Sequence, residues 1–168
     1  MSAHRSPSMA LSGFVPLVLT ALLLGACSVP IPRALTPEPD PTVVELAVQA
    51  GDEINPDGGG RPSPVVVRIY ELKDTGSFNS ADFFTLFEDE QGTLGGDLVA
   101  RDEIILAPGE RHEATRAIAD DTNHLAVMAA FRDIDRARWR TSVPVPRHRT
   151  TPVTVTIDAL SLSAQADD

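Results

Sequence analysis

Residues 65–72 read Val65-Val66-Val67-Arg68-Ile69-Tyr70-Glu71-Leu72. β-Branched and aromatic side chains dominate, and apolar residues fall on both parities. Such a run reads as a strand covered on both faces, at the centre of a sheet. Outward from it, other segments keep the two-residue period of half-buried strands. Val44, Leu46, Val48 and Ala50 share one face, with Glu45 and Gln49 opposite. Leu98–Leu106 puts Leu98, Ala100, Ile104 and Leu106 in phase, interrupted by Asp102. Glu110–Ala119 is a weaker candidate. His124–Arg132 carries Leu125, Val127, Ala129 and Phe131 on one face, and Trp139–Val145 follows. Val153, Val155 and Ile157 alternate with Thr154, Thr156 and Asp158. Leu160 and Leu162 then change parity, so a bulge or bend is expected near Ala159.

One segment leaves this period. In Ser80-Ala81-Asp82-Phe83-Phe84-Thr85-Leu86-Phe87 the aromatics fall at i, i+1 and i+4. That predicts a short helix capped by Asn79 or Ser80, with Asp82 in its first turn and its Phe side chains in the core. About seven short strands, Pro/Gly turns and no long helix predict an all-β fold. The expected architecture is a two-sheet antiparallel sandwich over residues 43–164, with a short helical addition and a C-terminal tail at 165–168.

Composition sets limits on function. The 168 residues carry a net charge of −10, and 42% are hydrophobic, enough for a core. The acidic balance argues against nucleic acid as a partner. A single Cys excludes an intramolecular disulfide framework and a Cys-rich zinc site.

The first 26 residues form an address. They contain no acidic residue and a single Arg, followed by the apolar run 14–24. That run is too short for the roughly 20 residues of a spanning helix, so it reads as a secretory signal. Leu24-Gly25-Ala26-Cys27 resembles a bacterial lipobox, which places cleavage between Ala26 and Cys27 and a covalent lipid on Cys27. Such signals give the Cys a diacylglycerol thioether and an acyl group of the palmitate type on its amino group. Each buried methylene contributes about 0.8 kcal/mol, so three chains hold firmly. Ser28 after the Cys, by resemblance to enterobacterial sorting, favours the outer membrane. Residues 27–42 then form a lipidated, Pro-rich tether, extended at about 3.1 Å per residue.

Chemistry-bearing motifs are sparse. His112-Glu113 begins like a zinc-protease helix, but Arg116 stands where a second His is required. Asp133-Ile134-Asp135 lacks the Gly and terminal Glu of a calcium loop. The glycine runs 58–60 and 95–96 have no Lys-Ser/Thr sequel, and no Gly-x-Ser-x-Gly elbow is present. Glu88/Asp89/Glu90 and Asp120/Asp121 read as solvated loops. No catalytic residue, metal site or cofactor is expected.

One segment is unexplained by folding. Gly51-Asp52-Glu53-Ile54-Asn55-Pro56-Asp57-Gly58-Gly59-Gly60-Arg61-Pro62-Ser63-Pro64 joins the first two strands. It far exceeds the about two to five residues of a hairpin loop. Turn signals lie at Asn55–Gly58, and a stiff exit at Arg61–Pro64. Loops of this length are functional or floppy, and composition does not choose between the two.

The lipobox, the Pro-rich tether and several motifs in order resemble the type VI secretion lipoprotein family, TssJ (also called SciN or VasD). The motifs are Asn55-Pro56-Asp57, Arg61–Lys73, Phe78-Asn79, Ala81-Asp82-Phe83-Phe84, Leu94-Gly95, Asp97-Leu98, Pro108-Gly109-Glu110, Phe131-Arg132-Asp133 and Trp139-Arg140. The resemblance covers nearly the whole chain after the tether. It implies a transthyretin-like sandwich and a non-catalytic role at the periplasmic face of the outer membrane. It also implies binding of the C-terminal periplasmic domain of TssM, an inner-membrane protein, and through it TssL. In the family the loop between the first two strands carries much of the TssM contact, which here is Gly51–Pro64. Asp52, Glu53 and Asp57 would then steer toward a basic patch on the partner, and Trp139 is either core or an interface anchor. Alternatives are a lipoprotein module for a small molecule or glycan, a periplasmic hydrolase, and an assembly chaperone unrelated to secretion.

Overall fold

The computed structural model describes residues 37–167; the signal, Cys27 and the first part of the tether lie outside the described residues. The elements in chain order are β1 (Val43–Ala50), β2 (Val65–Leu72), α1 (Gly76–Ser80), α2 (Phe83–Glu88), α3 (Glu90–Leu94), a 3-10 turn at Gly95–Asp97, β3 (Leu98–Leu106), β4 (Arg111–Ala117), β5 (His124–Ala129), β6 (Arg140–Pro144), β7 (Thr150–Ile157) and β8 (Leu162–Ala166). They form two four-stranded sheets, β4-β1-β7-β8 and β3-β2-β5-β6. The sandwich is the expected one.

The double-sided character of Val65–Leu72 has a clear origin. Val65, Val67 and Ile69 point between the sheets, where they meet Val44, Leu46, Val48, Leu125, Val127, Val153, Val155 and Ile157. Tyr70 and Leu72 point the other way, into a second core with Phe78, Leu86, Leu94, Ala126 and Met128. The helices cover that outer face, so β2 is buried on both sides. Arg68 fastens them: its Nε donates to Glu103 at 2.7 Å, one terminal nitrogen donates to the Phe87 carbonyl at 2.7 Å, and its guanidinium lies 4.1 Å from the Phe87 ring centre.

Four expectations are corrected. First, the pairing is not wholly antiparallel: β1 runs parallel to β7, from Val43↔Thr150 to Ala50↔Ile157. Second, the parity change after Ile157 is a chain reversal rather than a bulge. Asp158 N–H donates to the Ser161 carbonyl at 2.8 Å, and β8 returns antiparallel to β7. Since Val153 pairs with Ala166, β8 continues to Ala166 and takes in Gln165 and Ala166, which the sequence places in the tail.

Third, the helical addition is three short helices among the described residues, and its caps differ. Asp82, not Asn79 or Ser80, caps α2 by accepting the Thr85 N–H at 3.0 Å. Asp89 caps α3 through Gly92 N–H at 2.9 Å, so Glu88–Glu90 is helix boundary rather than solvated loop. Fourth, the apolar anchors here are Phe78 and Leu86, both 0% exposed, whereas Phe84 is 59% exposed. The i, i+1, i+4 pattern marks a helix face, but Phe84 takes the outer side of a helix only six residues long.

Candidate functional site

The long loop after β1 is a built structure. Gly51 is held at its start, donating to Ile157 O at 2.9 Å and accepting from Gly109 N–H at 3.1 Å. Ile54 then turns into the core and is fully buried. Asn55, 3% exposed, has a left-handed φ of 48°, a conformation its short polar side chain tolerates. Its N–H donates to Ala159 O at 2.9 Å, its Nδ2 to Pro64 O at 2.7 Å, and its Oδ1 accepts from Arg132 N–H at 2.7 Å. The Asn55 side chain thereby ties both ends of the loop to the β5–β6 connection, and its backbone N–H ties them to the β7–β8 turn. Ser63 N–H donates to Ile54 O at 3.0 Å and closes the neck.

Beyond this neck stands a tip, Asp57–Arg61. Gly60 N–H donates to Asp57 O at 2.8 Å, with a φ of 78° that favours glycine. Asp57 Oδ1 accepts Gly59 N–H at 2.8 Å and Arg61 N–H at 3.0 Å, and Oδ2 accepts Arg61 Nε at 2.9 Å. The backbone N–H and side chain of Arg61, then the N–H of Gly59, hold the Asp57 carboxyl below its ordinary value of 3.8. This corrects the steering expectation. Asp57 spends its charge inside the tip and leaves the Arg61 side chain exposed, so of the three acids only Asp52 and Glu53 remain as exposed charges at the loop entry.

The tip faces residues that the sequence reading did not assign to the partner site. An open groove of about 510 Å³ runs between Pro56, Asp57, Gly58 and Gly60 on one side and Arg132, Asp133, Arg136 and Leu160 on the other. Arg136 donates through Nε to Asp133 at 2.6 Å. A signal existed: residues 131–140 carry four Arg against two Asp, a reversal of charge in a chain of −10. The same connection continues into a smaller slot of about 310 Å³ beside Phe83, Phe84, Ile134 and Trp139. Phe83 packs edge-on against Trp139, with centroids 5.3 Å apart. Trp139 is half-buried and touches both cores. Arg140 lies over its ring at 4.6 Å and donates to Phe78 O at 2.9 Å and Ala81 O at 2.5 Å, locking α1 to β6.

The remaining candidates do not form a site. His112 and Glu113 sit on strand β4, where successive side chains face opposite sides, so the zinc-helix geometry does not arise. His148 is used in the fold: its N–H donates to Thr42 Oγ1 at 2.9 Å. Among the described residues no group of three His, Cys, Asp or Glu side chains converges to hold a metal, and no helix is long and apolar enough to cross a membrane.

Comparison with known proteins bears on this geometry. Residues 42–160 match the family model described as "Type VI secretion lipoprotein, VasD, EvfM, TssJ, VC_A0113". Among solved structures, the T6SS lipoprotein TssJ1 from Pseudomonas aeruginosa is 40% identical with a TM-score of 0.73, covering 76% of this chain and 98% of that one. Serratia marcescens Lip, described as a membrane bound component of the Type VI Secretion System, is 25% identical with a TM-score of 0.70, covering 76% and 99%. A chain in a structure described as the T6SS protein TssM C-terminal domain (869–1107) from EAEC is 29% identical with a TM-score of 0.63, covering 74% and 98%. No curated protein matches.

Proposed function

This chain belongs to the type VI secretion lipoprotein family, and from that premise we propose that it ties the C-terminal periplasmic domain of TssM, and through it TssL, to the outer membrane. A lipoprotein of this family is a structural component of the secretion system and not an enzyme. In the proposed arrangement a lipid on Cys27 anchors the mature chain, residues 27–42 give it reach, and the sandwich presents Gly51–Pro64 to the partner from the periplasmic face.

The observation that carries this reading is the ordered tip. A floppy insertion would not bury Ile54 and Asn55 or close two rings of hydrogen bonds to hold five residues clear of the sandwich. A pre-shaped loop loses little conformational freedom on binding. The surface beside the tip carries both signs, with Arg61 paired to Asp57, Arg136 paired to Asp133, and Arg132 beside them, which suits a partner surface that is itself of mixed charge. A further support is a structure described by a TssM domain: it contains a chain of this fold that is shorter than residues 869–1107, and so is not that whole segment. Two linked anchors raise effective concentration, so modest affinity at the loop suffices once the lipid is in place.

The test is titration of the unacylated mature chain with the cognate TssM C-terminal periplasmic domain. A variant with residues 57–61 replaced, Ile54, Asn55 and Ser63 kept, runs beside it. Binding by the parent and loss of binding by the variant, at an unchanged melting temperature, is the expected result. Equal binding by both moves the contact away from the loop, and no binding by the parent overturns the reading.

A further inference from the structure

Strand β1 connects the two attachments of the proposed function. The tether enters it at Val43, and the partner loop leaves it after Ala50. Eight residues at about 3.3 Å each set these points at opposite poles, roughly 26 Å apart. β1 is interior to its sheet and is bonded along both edges: to β4 from Val43↔Ala117 to Gln49↔Arg111, and to β7 from Val43↔Thr150 to Ala50↔Ile157. Val44, Leu46 and Val48 are buried along its inner face. Each end is clamped as well. At the tether end Val43 N–H donates to Arg149 O at 3.0 Å, and Ile118 N–H donates to Thr42 O at 3.0 Å. At the loop end Ala50 N–H donates to Glu110 O and Gly51 N–H to Ile157 O, both at 2.9 Å.

A pull between tether and loop therefore lies along a strand that is already extended, with almost no slack to give. Both forces act on the same strand, so its backbone carries them in line, and the ladders on either side hold the strand in place without being pulled apart. The C-terminus sits differently. Ala166 pairs with Val153, which stands opposite Leu46, so the chain ends beside the middle of β1, in the half nearer the tether. A pull between tether and C-terminus starts at one end of the sheet and opens its ladders one bond after another.

We propose that β1 is a load-bearing tie, which transmits tension between the lipid anchor and the partner without unfolding the sandwich. The role of the load rests on the reading that Gly51–Pro64 takes the partner; the mechanical anisotropy does not. Forced opening reports the barrier to unfolding along the direction of pull. The test uses the unacylated mature chain, whose single Cys27 is one handle. Gly58→Cys supplies the second handle at the loop tip, where a Cβ meets nothing within 4 Å. Ala166→Cys supplies it at the exposed end of β8 in a second variant. In optical tweezers, the 27–58 pair should lengthen only gradually, as the residues outside β1 straighten, with no abrupt step at the force that opens the 27–166 pair. The 27–166 pair should open at low force with the length gain of the whole sandwich. An abrupt step in the 27–58 pair at or below that force, or a 27–166 pair that shows no step either, overturns the proposal. No partner is present, so this failure is distinct from failure of the TssM titration.

Discussion

The side-chain oxygen of Asn55 accepts the backbone N–H of Arg132 at 2.7 Å, across 77 positions of sequence. The amide nitrogen of the same side chain caps the Pro64 carbonyl at 2.7 Å. Asn55→Ala breaks both of these part-buried bonds and puts a Cβ-bearing residue without a polar compensator at φ 48°. Those costs add to about 3 kcal/mol by chemical denaturation. Asn55→Gly loses the same bonds but relieves the backbone, so it should be about 1 kcal/mol less damaging. An Ala variant as stable as the parent would remove Asn55 as the hub of the site.

The loop tip should respond to acid through Asp57. Its carboxyl lies below the ordinary 3.8 because the Arg61 backbone N–H and side chain and the Gly59 N–H bond its ionised form. A depressed folded value means the tip's stabilisation is complete above the unfolded value and is lost as pH falls through the folded one. Amide signals of Gly59 and Arg61 should therefore hold steady from neutral pH down to about 4 and shift below it. In Asp57→Asn this acid transition should vanish. Persistence of the same transition in that variant would assign it to another group.

How much of this was legible in the sequence depends on the range of the interaction. Strand β1 was readable because one face repeats every second residue, and β2 because its run has no polar face at all. Strand β8 was not, because the parity change at Leu160 and Leu162 fits a bulge and a reversal equally well. The parallel β1–β7 pairing lies outside local reading too, since either neighbour would satisfy the same alternating side chains. At the site, loop length marked Gly51–Pro64 as unusual. Its other wall, Arg132–Arg136 with Leu160, comes from segments far along the chain, brought to the loop by Asn55. Asp57 was misjudged for a related reason: composition counts a charge, but only the fold shows that Arg61 and two N–H groups already occupy it.

The helical addition offers a direct contrast between aromatic and anchoring residues. Leu86 is fully buried in the second core, while Phe84 is mostly exposed beside the slot near Trp139. Leu86→Ala should cost about 2–5 kcal/mol through lost transfer energy and a cavity. Phe84→Ala should stay within about 0.5 kcal/mol of the parent. Equilibrium denaturation of the two variants checks both. Equal losses would return Phe84 to the core, where the helical spacing of the sequence had put it.

Tyr70 should set the alkaline limit of the fold. It is the single Tyr of the chain, so tyrosinate absorbance reports it alone. Its ring is buried and its hydroxyl donates to Glu90 at 3.1 Å, with Met128 Sδ 3.2 Å away. Burial is the main cause that pushes its pKa up to about 12, against a smaller lowering by Arg68. The folded state thus keeps a proton that the unfolded chain releases near 10. Stability from this group is complete below pH 10 and falls as pH rises from there toward 12, because the unfolded state then binds fewer protons. Absorbance and circular dichroism should change together, in one cooperative step above pH 10. In Tyr70→Phe the second core keeps its ring, the linkage disappears, and the alkaline loss of stability should be shallower. A tyrosinate signal that titrates at 10 while the sandwich stays folded would mean that the ring is reached by solvent and that Arg68, paired with Glu90 at 3.3 Å beside it, does not seal it.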